Sequence, residues 1–270
     1  MSFKIIKDVK YGSSSNQDCD LLLPSQAKSA LPMVVLLHGG AWVGSKKEDF
    51  QYFAEMLTSW GYAVLNTNYR LVPQGASCQD MLADIDHAIR YAIDRSAEWG
   101  ISSSPIALAG CSAGAHLALL YAYKGISPVE VKLILNMVGP SDLLDPAYFA
   151  NQEHPQFAEH LSIISLLAGV DLSAFDPSSP PKELKDISPV YSIGALSPKT
   201  ISAYGKKDML VPYSNGITLD KRLKEIGGCE KSSLFIYENS DHSLAGDPDT
   251  HSAMLNCFKE ELSKLLPIKY

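Results

Sequence analysis

Apolar and polar positions along the chain switch between two periods. Short, nearly continuous apolar runs at Met33-Val34-Val35-Leu36-Leu37, Tyr62-Ala63-Val64-Leu65, Ala107-Leu108-Ala109, Leu133-Ile134-Leu135, Ile201-Ser202-Ala203-Tyr204 and Leu234-Phe235-Ile236-Tyr237 predict strands covered on both faces. Between them, apolar residues recur at helical spacing: Phe50, Phe53, Ala54 and Leu57, then Leu82, Ile85, Ile89 and Ile93, which lie opposite Asp80, Asp84, Asp86 and Arg90. Later helical faces are carried by Leu219, Leu223 and Ile226, and by Leu255, Phe258, Leu262 and Leu265. Gly61 and Gly227-Gly228 supply stops, and Asp247-Pro248 reads as a cap followed by proline at the first helical position. Residues 3–10 and 18–23 alternate weakly, as the strands of an opening antiparallel hairpin or meander. Strands alternating with amphipathic helices predict an α/β fold: a mostly parallel sheet with helices on both faces.

The alternation breaks after Gly139 and resumes at Pro198. So long an interruption is expected to be a small folded insertion, covering residues 140–198 and lying over the top of the sheet as a lid. It holds one short helical pattern (Phe157, Leu161, Ile164, Ala168) and the turn-rich run Asp176-Pro177-Ser178-Ser179-Pro180-Pro181. With that insertion, residues 1–270 read as one domain.

Charge narrows the partners. A net charge of −7 with the two signs interspersed argues against nucleic acid and anionic membranes. The first residues lack the apolar core of a signal peptide, and no apolar run approaches a membrane span. Five scattered cysteines without a Cys-x-x-Cys pair suit free thiols in a reducing compartment, which predicts the cytoplasm and no structural zinc.

The chemistry centres on Gly110-Cys111-Ser112-Ala113-Gly114, which follows a strand and opens a helix. A sharp strand-to-helix turn strains its central residue and lifts the Ser112 hydroxyl above the sheet, while Gly110 and Gly114 let strand and helix approach closely. A serine hydroxyl needs a base to take its proton, and the base needs a partner to fix its tautomer. Loops at the C-terminal ends of later strands offer Asp208, in Tyr204-Gly205-Lys206-Lys207-Asp208, and His242, in Asn239-Ser240-Asp241-His242. Asp142 is the rival acid, and Asp241 reads as a solvated turn carboxylate. Of the other histidines, His87, His116 and His251 fall on helices, His154 and His160 fall in the insertion, and His38 reads as holding the glycine loop. The donors for an oxyanion are expected from the main-chain amides of Gly40, Ala41 and Ala113, with Gly39 permitting the turn. Cys111 reads as a small hydrophobe.

Together these segments resemble α/β-hydrolase-fold serine carboxylesterases of the hormone-sensitive-lipase and acetyl-esterase type. The resemblance rests on His38-Gly39-Gly40-Ala41-Trp42, Asn68-Tyr69-Arg70-Leu71-Val72-Pro73, Gly110-Cys111-Ser112-Ala113-Gly114-Ala115-His116-Leu117, the stretch from Gly205 to Pro212, and Asp241-His242. It implies the α/β-hydrolase fold, the chain order Ser112, Asp208, His242 for the triad, and hydrolysis of small, short-acyl esters through an acyl-enzyme without metal or organic cofactor. The loop departs from the lipase pattern at Ala41 and Trp42, and there it also resembles arylformamidases and polysaccharide-linked acyl esterases. The short N-terminal segment leaves residues 140–198 to form any lid. Trp42, Tyr69, Tyr148, Phe149 and Phe157 are expected to line the substrate pocket. The partner is a small-molecule acyl ester, and a homodimer is left open. An arylformamidase is the alternative activity; an acyltransferase and a non-catalytic binding protein stand further off.

Overall fold

The computed structural model describes residues 2–25, 29–149, 157–172, 176 and 179–268, with side chains at 149 and 157–160 outside that description. Eight strands form its sheet: β1 (Phe3–Lys10), β2 (Asp18–Pro24), β3 (Leu31–Leu37), β4 (Ala63–Thr67), β5 (Ile101–Cys111), β6 (Val131–Met137), β7 (Lys199–Gly205) and β8 (Ser232–Tyr237). Their order is β1-β2-β4-β3-β5-β6-β7-β8, with β2 antiparallel to both neighbours and every pair from β4 to β8 parallel. The opening strands and the parallel core therefore stand as the periodicity predicts. β5 reaches further back than its apolar run, through the polar Ser102-Ser103-Ser104-Pro105.

The helices are α1 (Gln51–Ser59), α2 (Cys78–Asp94), α3 (Ser96–Trp99), α4 (Ala113–Tyr123), α5 (Phe157–Ala168), α6 (Lys182–Asp186), α7 (Ser214–Gly227) and α8 (Pro248–Leu265). Side chains alternate across each strand, so β3 sends Met33, Val35 and Leu37 to one face and Val34 and Leu36 to the other. The first set packs with α2, α4 and α7, the second with α1 and α8. The α4 helix is apolar nearly all round and almost wholly buried, as a helix without a polar face must be. No helix among the described residues is long and apolar enough to cross a membrane.

Two expectations about polar groups need correction. Asp84, expected on the solvent face of α2, is fully buried: it receives the Arg70 guanidinium at 2.7–3.1 Å and the Gln17 amide at 2.7 Å. That pairing supplies what a buried carboxylate requires. Asp247 does not cap α8 with its side chain; its carboxylate accepts from the Asn239 amide at 2.9 Å and the Ser240 hydroxyl at 2.7 Å. It thereby ties down the loop that leads to His242.

Candidate active site

Ser112 sits between β5 and α4 at φ 51°, ψ −121°, a backbone state that an L-residue holds only where its surroundings enforce it. Two bonds do so: the Ser112 amide donates to Met137 O at 2.8 Å, and its carbonyl accepts from the His116 amide at 3.0 Å. The close approach is extreme at Gly114, where a Cβ would stand 2.3 Å from the carbonyl oxygens of both Leu37 and His38.

On the loop after β7, Asp208 is buried with both oxygens engaged. Oδ1 accepts from the amides of Leu210 and Val211 at 2.8 and 2.9 Å, and Oδ2 faces His242 Nδ1 at 2.7 Å. An Nδ1–H donated to the carboxylate leaves Nε2 as the basic nitrogen. Asp142 makes no such contact. It accepts from the Leu144 amide at 3.0 Å and lies 3.4 Å from the Tyr191 hydroxyl, and burial raises its carboxyl above the ordinary range. Asp241 is exposed and held low by the Ser243 hydroxyl.

After β3 the chain turns through three successive left-handed residues, Gly40 (φ 99°), Ala41 (φ 51°) and Trp42 (φ 60°). The amides of Val43 and Gly44 both donate to Gly40 O at 3.0 Å. Among the described residues the Gly40 and Ala41 amides donate to no protein acceptor, and the Ala113 amide, in the first turn of α4, has no helical partner by position. The loop abuts the turn at Ser112: a Cβ on Gly39 would lie 3.4 Å from Ser112 Cβ. His38 braces it, its ring stacked on Tyr69 at 4.4 Å and its Nδ1 bonded to Gly39 O at 2.9 Å.

Ser112 and His242 line one pocket with Ala41, Trp42, Pro140, Leu143, Tyr148, Ile163, Ile164, Leu210 and Val211. Trp42 and Tyr148 thus line this pocket. Tyr69 does not: it is fully buried behind the loop, its hydroxyl donating to His38 O at 2.7 Å, so it supports the wall instead of forming it. The side chains of Phe149 and Phe157 lie outside the described residues, as do His154 and the side chain of His160. Sequence reasoning missed Leu210 and Val211, although an apolar pair beside the candidate acid was a usable signal. It also missed Pro140 and Leu143, which follow β6 at the same sheet edge. Cys111 packs against the core with its thiol pushed up to about 12 by burial. Among the described residues no cluster of His, Cys, Asp and Glu is arranged to hold a metal ion.

Fold and strand order define an α/β-hydrolase. More narrowly, the chain belongs to the BD-FAE family, whose pattern matches residues 19–223. It is similar to an isoprenylcysteine alpha-carbonyl methylesterase of Arabidopsis thaliana, 27% identical over 251 residues that cover 90% of this chain and 57% of that protein. The chain thus spans less than two thirds of the length of that relative. A kynurenine formamidase of Danio rerio is 30% identical over 115 residues, covering 43% of this chain and 38% of its own. In fold the chain resembles esterase B of Lactobacillus rhamnosis, with a TM-score of 0.76 at 20% identity, covering 98% of this chain and 88% of that one.

Proposed function

We propose that this chain is a serine hydrolase that cleaves small, short-acyl carboxylic esters through an acyl-enzyme. The observation that carries the reading is the 2.7 Å contact of Asp208 with His242, in a pocket that His242 shares with Ser112. In the first step Ser112 Oγ attacks the ester carbonyl carbon while His242 Nε2 takes its proton, and the buried Asp208 stabilises the imidazolium. The amides of Gly40, Ala41 and Ala113 receive the oxyanion; one such donor typically contributes about 2.7–4 kcal/mol in the transition state. Collapse of the tetrahedral intermediate breaks the C–O bond and hands the His242 proton to the leaving alcohol. Water, deprotonated by His242, then releases the acid and restores Ser112.

The pocket walls are mostly apolar and the cavity holds about 80 Å³, which supports a short acyl group. The described residues between 140 and 198 act as a cap within one domain, contributing Pro140, Leu143, Tyr148, Ile163 and Ile164 to the pocket. The net charge and the free cysteines support a cytoplasmic enzyme that acts on a small molecule and not on nucleic acid. The similarity to kynurenine formamidases favours an aryl formamide as the second reading, over less than half of the chain.

The test is a panel of aryl esters of increasing acyl length, with a carboxyl methyl ester and an aryl formamide alongside. The expected order is fastest turnover for the two- to four-carbon acyl groups. Faster turnover of the formamide replaces the proposal with the second reading, and failure of Ser112 to label with a fluorophosphonate sinks both.

A further inference from the structure

Behind the pocket, His116 is a fully buried histidine that the proposed chemistry does not use. It lies one helical turn beyond Ser112 on α4, and its ring bridges two other segments. Trp42 Nε1 donates to His116 Nδ1 at 3.3 Å, and His116 Nε2 stands 2.7 Å from Ile187 O. An indole N–H can only donate and a carbonyl can only accept, so the bridge requires the neutral imidazole with its proton on Nε2. Burial keeps it neutral, with a pKa of about 4.

We propose that His116 is a positioning residue for ester hydrolysis, holding the Gly40-Ala41-Trp42 turn in register with the nucleophile helix through its bond to the Trp42 indole. The inference rests on the serine-hydrolase reading and adds the residue that sets the oxyanion donors. Ala41 and Trp42 are both left-handed, a backbone state unfavourable for an L-residue, so the turn persists only while its surroundings pin it. Val72 N pins the Trp42 carbonyl at 2.8 Å, and the indole bond pins its side chain. Only the second reaches α4, whose first amide, at Ala113, is the donor that must converge with Gly40 and Ala41. Loss of the indole bond lets the turn relax away from the oxyanion while the apolar walls still bind substrate. The damage therefore falls on kcat and spares KM.

Two near-isosteric variants separate the two arms of the bridge. In His116→Asn the side-chain oxygen takes the place of Nδ1 and can accept from Trp42, while the bond to Ile187 is lost. In His116→Gln the amide nitrogen takes the place of Nε2 and can donate to Ile187, while the bond to Trp42 is lost. Steady-state kinetics on a short acyl ester, with melting temperature and fluorophosphonate labelling as folding checks, give the readout. The expected result is kcat within about threefold of wild type for Asn and reduced about tenfold or more for Gln, with KM little changed in both. In a Trp42→Phe background, which itself lowers kcat, the two variants are expected to become equal. Equal kcat for Asn and Gln beside wild-type Trp42, or a loss confined to KM, overturns the proposal. So does an unimpaired kcat for Trp42→Phe alone, which decides the matter even if neither His116 variant folds. A wild-type protein that hydrolyses no ester and does not label overturns the hydrolase reading itself, an outcome distinct from these.

Discussion

Asp208 divides its two oxygens between its own loop and His242: Oδ1 accepts the amides of Leu210 and Val211, and Oδ2 meets His242 Nδ1 at 2.7 Å. The loop that buries the carboxylate also aims it. Asp208→Asn is expected to keep the fold but favour the wrong tautomer of His242, lowering kcat about 10⁴-fold. Asp142→Asn, which changes a group without contact to His242, is expected to leave kcat within a few-fold of wild type. Parallel assays of the two purified variants decide between the acids; a larger loss at Asp142 reverses the assignment.

Ser112→Ala removes the hydroxyl proposed to attack and nothing else in the pocket. Its kcat is expected to fall by on the order of 10⁶ with the melting temperature nearly unchanged. Residual turnover near the wild-type rate points to another nucleophile.

The Gly114 position tolerates no side chain, because backbone carbonyls on β3 and the loop beyond it stand where a Cβ would go. Gly114→Ala is expected to destabilise the fold by about 1–3 kcal/mol or more and to displace Ser112, so that activity and melting temperature fall together. Unchanged thermal denaturation contradicts that packing.

Lys47 is a buried ammonium 3.1 and 3.2 Å from the nearly buried carboxylates of Asp18 and Asp20, with the more exposed Asp8 and Glu48 at 2.7 and 2.8 Å. Removing the cation takes the closest positive charge from two nearly buried carboxylates, which keep only weaker partners such as the Asn68 and Asp8 amides. Lys47→Met is therefore expected to cost about 3–5 kcal/mol in urea denaturation, and a neutral result means that the site rehydrates.

Acid is expected to weaken the fold through His116. Its pKa drops from 6.5 to about 4 on burial, so between these values the unfolded chain binds a proton that the native state refuses. Stability then rises with pH across that window and is fully present above it, with a total swing on the order of 3 kcal/mol. His38, also lowered by burial, contributes in the same direction. Denaturation curves at pH 7 and pH 4.5 for wild type and His116→Asn check the sign: the variant is expected to show the smaller difference.

Local rules made much of the molecule legible. Apolar runs located the strands from β3 to β8, 3.6-residue periodicity located α1, α2, α7 and α8, and Gly-x-Ser-x-Gly between strand and helix marked the sharp turn, because each signal is written within a few consecutive residues. The loops carrying Asp208 and His242 were readable for the same reason, since a parallel sheet brings the C-terminal ends of its strands to one edge. What lies behind and around that edge was settled by residues far apart in the chain. Asp84 became buried because Arg70 and Gln17 came to meet it, and Tyr69 withdrew from the pocket because His38 offered it a stacking face and a carbonyl. Trp42 found His116, 74 positions away, only once α4 lay beneath the loop. Periodicity assigns a residue to a face of its own element. Whether a polar group on that face is solvated, paired or turned toward a substrate depends on what the rest of the fold places opposite it.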